Sequence, residues 1–275
     1  MKQDKHLYKD IIEVLRKPVM SVLPGHLSFF LLLSSIPIIL IFVSIASAFS
    51  LSYDAIVEFI TLSLPASTSK LILPLFATTR SIDLSVTLLA ITAIYLASRG
   101  TKAIILAANN IYGGAKNPIQ EIIKSLIITL LLIAVLIFII IILIVGEMVI
   151  KKIGLISQIG FISKNIILLI NYLRWPIALF VIFFLLKIIY TLTPNKKISS
   201  RTVNKGSFFT TICWLIITFI YSFYVTNYAS YNTYFGSASN IVILMIWVFM
   251  ISQIFVIGMV INYLEDKKMN DKLVI

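Results

Sequence analysis

Tyr95, Arg99, Lys102 and Asn109 are separated by four, three and seven residues, so on a helix they share one face. Ser98, Gly100 and Asn110 flank that face. Two cations beside hydroxyl and amide groups suit a phosphate or carboxylate headgroup, because guanidinium and ammonium donate charge-assisted hydrogen bonds to such anions. The run that carries them, Leu84–Leu106, is otherwise apolar, and ionisable groups at membrane depth are expensive enough to mark candidate functional positions. The alternative is that both side chains reach to the inner interface and serve only as topology signals.

Two further groups could do chemistry. Glu147 and Arg174 lie near the ends of successive apolar runs, where they could meet as a charge pair, either a structural latch or part of a ligand site. The stretch from Tyr221 to Asn240 is rich in Tyr and Asn, including Tyr228 and Tyr234. Such a stretch is either an interfacial aromatic belt or the lining of a cavity for an amphipathic or hydroxylated ligand. Pro37 and Pro176 should kink their helices by removing a backbone donor, and Gly258 is a third candidate hinge position.

Enzyme signatures are missing. The sequence has no HExxH, no Gly-rich phosphate loop and no GxSxG. Its eleven acidic residues form no cluster of the kind a metal-dependent nuclease needs. Cys213 is the sole cysteine, and His6 and His26 have no partners for a zinc site, so neither a metal nor a cofactor is expected. A net charge of +12 would suggest nucleic acid in a soluble protein. Here 60% of residues are apolar and mean hydropathy is +1.04, so lipid is the consistent solvent and the cations read as topology signals, with no nucleic acid partner.

The elements that must position these residues are apolar runs long enough to cross a bilayer, which takes about 20 residues. They are Leu27–Phe49, Leu84–Leu106, Ser125–Val145, Ile166–Ile189, Phe208–Tyr228 and Ile241–Tyr263. With the N-terminus in the cytoplasm, only Lys70, Arg80, Lys151, Lys152, Lys164 and Arg174 of the 23 cations fall on the outer side. The expectation is an all-α, polytopic integral membrane protein: a six-transmembrane-helix bundle over 27–263, both termini cytoplasmic. Residues 1–26 form an amphipathic cytoplasmic segment, with a short helix expected over Tyr8–Arg16, and 264–275 a cytoplasmic tail. Residues 51–83, broken by Pro65 and Pro74, are expected as an outer interfacial hairpin. Ala46-Ser47-Ala48 mimics a signal-peptidase site, but the run before it is longer than a signal's 7–15 residues, so a retained first helix is expected.

The chain resembles the YihY/BrkB family of bacterial inner-membrane proteins, some of which carry an old ribonuclease BN label. The resemblance runs from about Gly25 to Asn262. It rests on Leu33-Ser34-Ser35-Ile36-Pro37, Asn110-Ile111-Tyr112, Arg174-Trp175-Pro176 and Tyr190-Thr191-Leu192-Thr193-Pro194-Asn195. Lys205-Gly206, Tyr234-Phe235-Gly236-Ser237, Trp247 and Gly258 through Asn262 complete it. One departure matters: the family usually has an acidic residue in its last motif, and here Val260 stands in its place, so no role of that carboxylate carries over. The aromatic-rich basic segment after Asn110-Ile111-Tyr112 is reduced to Lys116-Asn117-Pro118.

The resemblance implies a transporter or lipid-handling protein of the bacterial cytoplasmic (inner) membrane. The functional expectation is a membrane transporter or lipid flippase whose partners are membrane lipids and an anionic or amphipathic small molecule. Arg99 and Lys102 would hold the anionic group on the inner side. The alternative is a non-transporting scaffold that recruits partners through its basic loops, and ribonuclease activity is disfavoured.

Overall fold

The computed structural model describes residues 2–48, 57, 84–114, 117–134, 162–228 and 238–273, and among them every regular element is a helix. In chain order these are α1 (Lys2–Leu15), α2 (Pro18–Ala48), α3 (Leu84–Tyr112), α4 (residues 118–134), α5 (Ile162–Leu192), α6 (Asn204–Tyr228) and α7 (Ala238–Leu273). Two stretches among the described residues are long and apolar enough to cross a membrane, Asn204–Val225 and Val242–Asp271. The expected hairpin over 51–83 lies outside the described residues except for Val57, as do Glu147 and Tyr234.

Helix boundaries follow local chemistry. α1 stops at Arg16-Lys17, and Pro18 opens α2 at a first helical position, where its missing N–H costs nothing. α3 ends on Gly113, whose φ of 72° suits glycine, and Gly114 N donates to Asn109 O at 3.0 Å, the long closing bond of a Schellman cap. Asn117 caps α4 through its side chain, which accepts from Gln120 N at 3.2 Å, and Pro118 follows at the first helical position. α2 and α5 remain helical through Pro37 and Pro176, the two expected kink positions.

The helices are longer than the apolar runs suggested. α2 begins nine residues before Leu27 and α7 continues to Leu273, because a helix persists beyond the bilayer wherever packing holds it. Ile11, Val14 and Leu15 of α1 form such a packed stripe, while Ile12 faces outward.

One core gathers the start of α2 (Met20, Leu23, Leu27), the end of α3 (Ala103 to Tyr112) and Ile128 of α4. The end of α5 (Leu186, Ile189, Tyr190) and the middle of α7 (Phe255 to Val260) join them. The start of α2 meets the end of α3, and Thr101 and Asn109 of α3 bond to Thr129 and Glu121 of α4. Lys124 of α4 reaches Pro194 just past α5, so successive helices from α2 to α5 run in opposite directions. α3 packs along α2, α6 along α7 and α5, and α7 against both α2 and α1.

Candidate functional site

Arg99 and Lys102 line a groove of about 430 Å³ between α2 and α3. α2 contributes Val19, Val22, Leu23 and His26, and α3 contributes Arg99, Lys102, Ala103 and Leu106. Each set follows the spacing i, i+3, i+4, i+7, a single stripe on its helix. Gly100 sets the closeness of the helices: a methyl group there would lie 3.2 Å from Phe30 Cβ and 3.7 Å from Leu27 Cδ1. That contact, with residues 19–26 facing 99–106, makes the pair antiparallel and brings His26 opposite Lys102 and Val22 opposite Leu106.

Arg99 and His26 are exposed and Lys102 is half-buried. Among the described residues, no carboxylate pairs with any of the three; the ion pair present joins Lys205 to Glu265 at 2.8 Å. The His26 ring meets Phe30 edge-on, with centroids 4.9 Å apart. Tyr95 lies one turn before Arg99, largely exposed and outside the groove's lining.

Asn109, expected on the same working face, belongs to a different assembly. It is buried, donates through Nδ2 to Glu121 Oε1 at 3.3 Å, and accepts at Oδ1 from Asn195 N at 2.7 Å. Lys124 Nζ donates to Pro194 O at 2.8 Å, and burial holds its ammonium below the usual lysine range. Together these bonds fasten the α3–α4 turn to the α5–α6 connection. A seven-residue step does keep Asn109 in line with Lys102, but its side chain is taken up by Glu121 of α4 and by the α5–α6 connection instead of the groove.

Asn110 is exposed and lines a second groove of about 360 Å³ with Tyr112, Lys196, Tyr263, Asp266 and Lys267 among others. Asp266 accepts from Thr202 Oγ1 at 3.3 Å and from Asn270 Nδ2 at 3.1 Å. Burial first, then the nearby Asp266, pushes the Tyr112 phenol above its ordinary range. This groove carries both signs of charge, and its buried carboxylate, Asp266, is satisfied from within.

A third polar region is the seam of α5, α6 and α7. Tyr190 OH donates to Phe255 O at 2.8 Å and meets Thr210 Oγ1 at 2.9 Å. Gly206 N, in the first turn of α6, donates to Asn262 Oδ1 at 2.7 Å, so α7 supplies a cap that α6 lacks in its own sequence. Trp214 Nε1 donates to Ile251 O at 3.0 Å. Gly258 sits inside this seam: a methyl group there would come within 2.6 Å of Tyr190 OH and closer still to Thr210 Oγ1. Val260 is fully buried among apolar neighbours.

Arg174 and Tyr228 lie on α5 and α6. Sequence reasoning missed His26, Glu121 and the Tyr190–Thr210 pair. For His26 the signal was present, since Val19, Val22, Leu23 and His26 share one helical face, as Arg99 and Lys102 do on α3. Among the described residues no three His, Cys, Asp or Glu come together in a way that could hold a metal.

A membrane protein with an all-helical fold and an amphiphilic groove at one end of its bundle is the class these features define. The family model described as Virulence factor BrkB matches residues 11–274, and the chain belongs to that family. It is 28% identical over 251 residues to the ribonuclease-like protein YfkH of Bacillus subtilis (strain 168), covering 89% of each chain. It is also 33% identical over 63 residues to a UPF0761 membrane protein of Pseudoalteromonas atlantica (strain T6c), 23% of this chain and 21% of that one. No solved structure matches the chain.

Proposed function

We propose that this protein is a transporter or lipid flippase of the bacterial inner membrane, moving an anionic or amphipathic envelope substrate. The observation that carries this is the α2–α3 groove, where Arg99 and Lys102 lie beside Val19, Val22 and Leu106 without a carboxylate partner among the described residues. A charged pair kept without a counter-ion next to apolar wall suits a ligand that is itself amphiphilic. In this reading the bundle crosses the membrane six times with both termini cytoplasmic. The alternation of helix directions and the packing of α1 on α7, which brings the two chain ends to one side, support an even number of crossings.

The reading includes no enzymatic step. Although a relative is named ribonuclease-like, the buried carboxylates among the described residues are engaged elsewhere: Glu121 with Asn109, Asp266 with Thr202 and Asn270. The test is flux of lipid and of organic anions in vesicles carrying the purified protein. Arg99→Ala/Lys102→Ala should lower flux by about tenfold or more while the protein stays folded, as expected for loss of two charged hydrogen-bond donors. Unchanged flux in that variant would remove these residues from the pathway. Absence of flux for every substrate tried would favour a scaffold, for which the exposed Lys196 and Lys267 would be the recruiting charges.

A further inference from the structure

We propose that the α2–α3 groove seats the phosphate of an anionic membrane phospholipid, and that His26 is its third contact with Arg99 and Lys102. This deepens the transport reading by naming the substrate class, and it rests on the same groove.

Three observations lead there. First, His26 lies opposite Lys102 in the antiparallel register, so basic groups from two helices converge on one space. Guanidinium, ammonium and imidazole together offer a fork, a point charge and a ring N–H, which suits an oxyanion with several acceptor oxygens. Second, the remaining walls are apolar, with Val22 67% and Val19 45% exposed, and such a surface gains by covering with hydrocarbon. A free anion would leave that wall wet; a lipid covers it with its own glycerol and acyl groups.

Third, the seat is set in from the helix ends. His26 lies eight residues into α2, roughly 12 Å from Pro18, and Lys102 lies ten residues before Tyr112, roughly 15 Å from the end of α3. Arg16 and Lys17 just precede Pro18, and Asn110 stands beside Tyr112, all exposed and suited to the interface. The basic cluster therefore lies below that level, with Val19, Val22 and Leu106 between it and the interface. A phosphate bound there has left the plane of its leaflet, which is the position a headgroup must take early in crossing.

The experiment is native mass spectrometry of the full chain released from nanodiscs of phosphatidylcholine containing phosphatidic acid, run alongside the flux assay. Wild type should retain phosphatidic acid in preference to phosphatidylcholine. Arg99→Gln/Lys102→Gln should weaken that retention about tenfold and His26→Ala about threefold, the scale of lost charged and neutral hydrogen bonds. Arg99→Lys keeps the charge and should retain most binding, which preserves the test if the glutamine variant fails to fold. Equal retention in wild type and all variants overturns the seat, and displacement of the lipid by millimolar inorganic phosphate overturns the lipid as its occupant in favour of a free anion. Loss of retention with unchanged flux upholds the seat and removes transport through it. Unchanged retention with lost flux overturns the seat and leaves transport standing.

Discussion

The α5–α6–α7 seam and the α2–α3 groove lie at the same end of the bundle and use polar groups in opposite ways. In the seam, Tyr190, Thr210, Trp214 and Asn262 are drawn into helix-to-helix hydrogen bonds, several of them to backbone. In the groove, Arg99, Lys102 and His26 point into open space beside apolar wall. An unmade hydrogen bond is costly away from water, so a polar group satisfied inside the fold is explained by the fold. Charges left open have no such internal explanation. The difference separates residues that hold this molecule together from residues that the proposed ligand would meet.

The sharpest way to break that contrast is to fill the seam. Gly258→Leu forces a side chain against Tyr190, Thr210 and the Gly206 backbone, and should cost about 3 kcal/mol or more, read as a lowered unfolding midpoint in detergent. A variant as stable as wild type would mean that the seam is looser than its geometry implies. Asn262→Ala comes next. It strips the cap from Gly206 N but also removes Nδ2, which is buried without a partner, so the net loss should be about 1–2 kcal/mol by the same measurement. Smallest is Arg99→Ala/Lys102→Ala, which should leave the midpoint within about 0.5 kcal/mol of wild type, as surface changes do. A loss equal to that of Asn262→Ala would make the groove cations structural and erase the contrast.

Membrane character, helical content and the shared face of Arg99 and Lys102 were legible because each depends on local sequence alone: hydropathy over a window, or spacing on one helix. The reach of α2 back to Pro18 and of α7 on to Leu273 was not, because hydropathy measures where lipid is and not where a helix ends. His26 was passed over as a lone histidine, although its stripe matches that of α3. Glu121 was hidden for a different reason. A single carboxylate three residues beyond a proline reads as a solvated helix start, and only the distant Asn109 makes it a buried one. Asn109 itself was placed on the right helix but on the wrong assembly, because its partners Glu121 and Asn195 come from turns whose docking no local pattern records.

The two cations of α3 have a consequence for biogenesis. Among the described residues, α6 and α7 hold two stretches long and apolar enough to partition into lipid, and the Gly206–Gly258 crossing lets them close on each other directly. α3 carries Arg99 and Lys102, and a charged residue near a helix centre opposes insertion by about 2.5–3.5 kcal/mol. Yet α3 is synthesised before α6 and α7. In the six-crossing reading, α2, packed on α3 at Gly100, is the neighbour synthesised early enough to offset that cost.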